Sequence, residues 1–268
     1  MSVHLNYAAT WLRPIIRILF IILVLSTYMI TAKIVGLFSR EPGVRRSRLI
    51  HVTAFFSRWM LQGLRMTVTL ENPERRPDAQ KNYMIVSNHL SYVDIWAISS
   101  IIPSCFVTSV ELQKTFLGPI AAAGGSLFVE RRSPSRLLQE IKEAATTLRK
   151  GSNVTVFPEA TTSNGEQVLP FRRGLLEAAL HAQMNILPIV INYDAANGES
   201  LNREVRDSIF YYGDMEFVAH LWRLCSLESL SIRVKVLDEL PVDNSSCTRT
   251  IARTVHEKIS ANFHPVAA

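Results

Sequence analysis

The sequence has no Cys-x2-Cys pair, no His-x3-His pair, no Gly-x-Ser-x-Gly segment and almost no acidic charge in its first quarter. Its three cysteines, Cys105, Cys225 and Cys247, lie far apart. That excludes a zinc ribbon, a redox pair and a disulfide framework, and suits a reducing compartment. The histidine spacings exclude the common metal-hydrolase pattern. Gly124-Gly125-Ser126 lacks the trailing glycine of a nucleophile elbow. Eleven glycines and twelve prolines are too few for a fibrous or low-complexity chain.

What is present is apolar material. Hydrophobic residues make up 48% of 268 residues, and the mean hydropathy is +0.14. This rules out a disordered chain and suffices for one large α/β domain with a small appendage.

Charge is unevenly placed. Residues 1–65 carry nine basic side chains and one acidic one, Glu41, whereas residues 66–268 carry 20 basic and 22 acidic. The basic character therefore comes from the N-terminal quarter, interleaved with apolar residues. That pattern points to an anionic membrane surface rather than nucleic acid.

Ile18 to Ala32 is uncharged and bracketed by Arg17 and Lys33. It is short of the ~20 residues of a full span, so with snorkelling ends it either just crosses or dips into one leaflet. No small-x-small cleavage site follows, so it reads as an uncleaved anchor rather than a signal peptide. Residues 44–62 read as a second helix, with Leu49, Val52, Phe55, Phe56, Trp59 and Met60 at three- and four-residue steps. It is either an ordinary helix packed on the body or an interfacial helix whose arginines meet lipid headgroups. The arginines after the apolar run place the body on the cytoplasmic side of the cell membrane. The division expected is 1–65 as membrane-anchoring helices and 66–268 as the catalytic domain.

The body alternates short apolar runs with amphipathic stretches. Tyr83–Val86, Phe106–Val107, Leu127–Val129, Val154–Phe157, Ile186–Ile191 and Ile232–Leu237 read as strands. Residues 135–150 read as a helix with Leu137, Leu138, Ile141, Ala144, Ala145 and Leu148 on one face and Gly151 as its stop. Leu175 to Met184 and Asn244 to Phe263 read as further helices. The fold class expected is α/β: a mixed sheet flanked by helices, with an N-terminal membrane-associated helical segment.

Four segments carry candidate chemistry. His89 and Asp94 lie in a strand-to-helix turn. There the carboxylate either orients the imidazole as a general base or simply caps the helix. Arg131 ends the strand entered by Gly124-Gly125 and is either a phosphate clamp or a solvated strand end. Glu159 follows a buried strand and precedes a hydroxyl-rich turn, as a site carboxylate or a turn cap. Arg172 and Arg173 precede a helix and add anion-binding potential. Pro188 marks its strand as an edge or a bulge.

The order and spacing of these segments are more specific than any one of them. Asn88-His89-x4-Asp94, then Gly125-x2-Phe128-x2-Arg131, then Phe157-Pro158-Glu159-x-Thr161, then the strand with Pro188, resemble the glycerolipid acyltransferase family, over Tyr83 to Tyr193. The resemblance implies that His89 is the general base, oriented by Asp94. It implies that the acceptor hydroxyl attacks the thioester of acyl-CoA or acyl carrier protein without an acyl-enzyme. Asn88, Arg131, Glu159 and Thr161 are then expected to bind substrate, with Arg131 on the acceptor phosphate and Pro188 on the donor side or in packing. No cofactor or metal is implied, and the partner is membrane lipid. The default acceptor is 1-acyl-sn-glycerol-3-phosphate.

The third motif departs from the family's Phe-Pro-Glu-Gly-Thr-Arg-Ser. Ala160 replaces glycine and Thr162 replaces arginine. Ala160 is strained if its φ is positive. Loss of the arginine leaves Arg172 or Arg173 to substitute, or marks a different acceptor such as lyso-ornithine lipid or a lysophospholipid with a larger headgroup. An inactive protein of the same fold is disfavoured, since His89, Asp94, Arg131 and Glu159 are all intact.

Overall fold

The computed structural model describes residues 2–130, 134–243 and 245–266. Two long helices, α1 (Ser2–Leu37) and α2 (Pro42–Gly63), come first. The chain then forms β1 (Met66–Leu70), β2 (Met84–Ser87), α3 (Val93–Ile101), β3 (Cys105–Ser109), α4 (Val110–Gln113), α5 (Gly118–Ala123) and β4 (Leu127–Val129). It continues through α6 (Pro134–Arg149), β5 (Val154–Val156), α7 (Glu177–Ala182), β6 (Ile186–Ala196) and β7 (Glu199–Ser200). The last elements are α8 (Arg203–Arg206), α9 (Phe217–Ser226), β8 (Leu230–Val236) and α10 (Thr248–Asn262).

The strands make one sheet in the order β1-β8-β6-β2-β5-β3-β4, with β7 on β6. From β6 to β4 every pairing is parallel, while β8 runs antiparallel to β6. This is the expected mixed α/β architecture. The parallel centre explains the unbroken apolar runs: every residue of β2 and β5 is buried, as helices cover both faces of such a sheet. Each expected strand forms. β1 was not foreseen, because its outward positions alternate with half-buried ones at the sheet edge.

Pro188 lies in a central strand, not at an edge. It stands opposite the interruption between Val236 and Leu240 in the neighbouring chain, where Ile189 pairs with Val236 and Ile186 with Leu240. Its carbonyl accepts from Leu237 N–H at 3.0 Å, and the bulge asks for no donor in return. That resolves the choice between edge and bulge.

In α6, Ile141, Ala144, Ala145 and Leu148 are buried as expected, but Leu138 is 50% exposed. Gly151 ends the helix at φ 84°.

The N-terminal helices are longer than the uncharged run suggested. Trp11–Leu37 is a 27-residue helical stretch within which an 18-residue window reaches a mean hydropathy of 2.3. At 1.5 Å per residue this is about 40 Å of helix, long enough to cross a bilayer. Arg17 does not bracket that run towards headgroups. It is buried and donates to the carbonyls of Cys225, Leu227 and Glu228, while Arg13 reaches Ser226 O and Glu228. Two cations thus cap the C-terminal end of α9, where the helix dipole is negative. The opposite face of α1, including Leu19, Ile22, Leu23 and Ile30, is exposed.

Helix α2 packs on the body, the first of the two readings set out for it. Leu49, Ile50, Ala54, Phe56, Met60 and Leu61 are buried. Arg46 bonds Thr147 and Glu143 of α6, and Arg58 bonds Ser100 O. Phe55 and Trp59, 5.2 Å apart, remain on the outside.

Candidate active site

His89 follows β2, Phe157 to Glu159 follow β5, and Tyr193 lies within β6. β2 pairs with both of the others. The site therefore forms at the carboxyl ends of adjacent parallel strands, the usual place for a site in an open α/β sheet.

The turn after β2 brings Asp94, in the first turn of α3, back onto the imidazole. His89 Nδ1 and Asp94 Oδ2 are 2.8 Å apart. The same oxygen accepts from Leu90 N–H at 2.7 Å and Ser91 N–H at 2.9 Å. Asp94 is thus both the cap of the turn and the partner of the histidine; the two readings are one arrangement. Its other oxygen, Oδ1, accepts from the Tyr193 hydroxyl at 2.7 Å. Asp94 is fully buried, and four donors around a buried carboxylate offset the cost of desolvating it. With Nδ1–H donating to the carboxylate, Nε2 carries the lone pair, and no described residue hydrogen-bonds it. The ring lies flat on Phe157, with centroids 3.9 Å apart.

The third motif holds the backbone of His89. Glu159 Oε1 accepts from His89 N–H at 2.7 Å, and Ser163 N–H donates to His89 O at 3.0 Å. Glu159 Oε2 accepts from Leu169 N–H at 2.9 Å. Burial pushes the Glu159 carboxyl up to about 7, against the downward pull of the two amides. This carboxylate, expected to face substrate, has both oxygens engaged on the main chain. Asn88 is likewise committed: its amide donates to Ile191 O and accepts from Ile191 N–H, both at 2.9 Å. It locks the start of the turn to β6.

Thr161, Arg172 and Arg173 are exposed. The Arg172 amide donates to Pro158 O at 2.9 Å, which leaves its guanidinium at the loop surface. Arg131 lies outside the described residues. Ala160 has φ 62°, so the strain foreseen for a non-glycine residue there is real.

Sequence reasoning missed Tyr193 and Ser163. Tyr193 is five residues beyond Pro188, but only the β2–β6 register brings it to Asp94. His220, grouped with the ordinary histidines, is fully buried behind the turn. Its Nε2–H donates to Phe210 O, and its Nδ1 lies 3.1 Å from the Tyr92 hydroxyl. Burial lowers its pKa to about 4, so it is neutral. Among the described residues, no group of three or more His, Cys, Asp or Glu is arranged to hold a metal ion.

Residues 67–192 match the model of a family described as Acyltransferase. The 1-acyl-sn-glycerol-3-phosphate acyltransferase of Neisseria meningitidis is 29% identical over 197 residues, covering 73% of this chain and 75% of that protein. The lyso-ornithine lipid O-acyltransferase of Brucella abortus is 27% identical over 186 residues, covering 66% of this chain and 70% of that protein. The crystal structure of the 1-acyl-sn-glycerophosphate acyltransferase of Thermotoga maritima superposes with a TM-score of 0.65 at 18% identity, over 94% of this chain and 96% of that one. That last likeness is one of fold.

Proposed function

We propose that this chain, a member of the acyltransferase family through residues 67–192, moves a fatty acyl group from an acyl thioester to the free hydroxyl of 1-acyl-sn-glycerol-3-phosphate, giving phosphatidic acid. The observation that carries this reading is the His89 Nδ1 to Asp94 Oδ2 hydrogen bond of 2.8 Å, which leaves Nε2 unbonded by any described residue.

In the reaction, His89 Nε2 takes the proton of the acceptor hydroxyl as that oxygen attacks the thioester carbon. The C–O bond forms, the C–S bond breaks, and the proton passes from the imidazolium to the leaving thiolate. Asp94 holds the imidazole tautomer and offsets the charge that develops on the ring. Glu159, Ser163 and Asn88 position the turn, and Tyr193 positions Asp94. Arg131 and Arg172 recognise the acceptor phosphate. Residues 1–65 anchor the chain to the membrane, and residues 66–268 form the catalytic unit on its cytoplasmic side. The donor is acyl-CoA or acyl carrier protein.

A second reading keeps the chemistry and changes the acceptor to lyso-ornithine lipid. It is favoured by Thr162, which stands where the family has arginine, and by the relative from Brucella abortus. An acceptor panel with labelled acyl-CoA and the full chain in detergent separates them. Preference for 1-acyl-sn-glycerol-3-phosphate supports the first reading, preference for lyso-ornithine lipid supports the second, and transfer to neither removes both.

A further inference from the structure

A concave feature lies beside the segment that follows the third motif. It is a cavity of about 280 Å³ between α10 and the segment 170–173. Arg249, Arg253 and His256 line it from one face of α10, at steps of four and three residues. Arg173 and Phe171 line it from the loop. No Asp or Glu lines it, although residues 66–268 as a whole are slightly acidic. Among the described residues, the carboxylate paired with an arginine there is Glu257, 3.8 Å from Arg253 on the exposed surface. The aromatic side is also built: Phe171 meets the His256 ring edge-on, with centroids 4.9 Å apart.

The cavity is wired to the catalytic turn. His256 Nε2 lies 3.4 Å from Val168 O, Leu169 N–H donates to Glu159, and Glu159 accepts from His89 N–H. Arg172 N–H, beside the cavity, donates to Pro158 O. Three hydrogen bonds and the Val168–Leu169 peptide therefore link the cavity lining to the His89 amide. Its walls are not those of the apolar helices: α10 packs on β6 and the turn Gly174–Leu176, whereas α1 and α2 pack on α3, α5, α9 and β1. This opening is therefore set apart from the apolar helices, as suits a water-soluble reactant.

We propose that this cavity binds the nucleotide end of the acyl donor, the adenosine bisphosphate of acyl-CoA. This deepens the acyl-transfer reading and rests on it. Three guanidinium groups with no carboxylate among them suit clustered phosphates, which arginine grips with paired donors. Phe171 and the guanidinium planes offer stacking surfaces for a purine. The volume exceeds that of a bare phosphate and is just below that of a complete small-molecule site, as fits one end of a ligand whose pantetheine arm continues to His89.

Adenosine 3′,5′-bisphosphate is titrated calorimetrically into the full chain in detergent, alongside His89→Ala and Arg249→Gln/Arg253→Gln. The proposal expects saturable binding, the same in His89→Ala, and weakened about 100-fold in the double variant, roughly tenfold per arginine. It also expects the ratio of KM values for acyl-pantetheine and acyl-CoA to collapse toward one in the double variant. Binding absent, or equal in the double variant, overturns it. So does equal affinity for inorganic phosphate, which leaves a plain anion site, or displacement by 1-acyl-sn-glycerol-3-phosphate, which assigns the arginines to the acceptor. A KM defect with acyl carrier protein, without nucleotide binding, also overturns it. If no acyl transfer occurs with any acceptor, the acyl-transfer reading fails while the nucleotide titration still reports on the cavity.

Discussion

The Tyr193 hydroxyl donates to Asp94 Oδ1 at 2.7 Å, on the carboxylate oxygen that does not face His89. Tyr193 is buried, and burial and the Asp94 charge hold its pKa well above the ordinary phenol value. It is therefore a permanent donor, and the carboxylate is braced from both ends. Tyr193→Phe leaves a buried oxygen short of a partner, at a cost of about 1–3 kcal/mol. A fall in kcat of about tenfold is expected at unchanged acceptor KM, read from initial rates beside a thermal melt. An unaltered kcat contradicts a positioning role.

Glu159 links pH to stability. Its carboxyl titrates near 7 in the folded chain because burial raises it from an ordinary 4.5. Between those values the folded state holds a proton that the unfolded state releases. The stability this group contributes is therefore full below pH 4.5 and is lost as pH rises through 7. The unfolding midpoint of the parent protein should fall from pH 5 to pH 8 more steeply than that of Glu159→Gln, whose side chain does not titrate. Parallel curves for the two proteins would remove the claim.

Ala160 sits at φ 62°, where a Cβ costs on the order of 1 kcal/mol. Ala160→Gly is expected to raise stability by up to about 1 kcal/mol in chemical denaturation. No gain, or a loss, means that the surrounding turn already absorbs the strain.

Arg17 joins α1 to the body through three carbonyls at the end of α9. Arg17→Met keeps the stem and deletes the donors. The buried carbonyls then go unpaired, and the melt should report a loss of about 2–3 kcal/mol. Stability within a few tenths of the parent value would show that α1 docks through its apolar contacts alone.

Local chemistry was legible and long-range pairing was not. His89 and Asp94 are five residues apart, so one turn joins them, and the sequence shows both partners. Gly151 as a helix stop and the bulge at Pro188 follow from single-residue backbone limits. Tyr193 meets Asp94 across 99 residues, through the register of β2 on β6, which no local pattern encodes. Glu159 was visible as a carboxylate after a strand, but its partner, the His89 amide, belongs to another motif. Arg17 looked like the polar end of an apolar run because the carbonyls of α9 that bind it lie more than 200 residues away. Leu138 shows the limit of periodicity: it shares the apolar spacing of the buried face yet is 50% exposed.

The most direct test is the initial rate of labelled acyl transfer to 1-acyl-sn-glycerol-3-phosphate by His89→Ala beside the parent protein, in the same detergent. The imidazole is the base in this account, so its removal should lower kcat by about 10²–10⁴-fold while the unfolding midpoint stays close to that of the parent. A His89→Ala protein that remains folded and transfers acyl groups within a few-fold of the parent rate would contradict it.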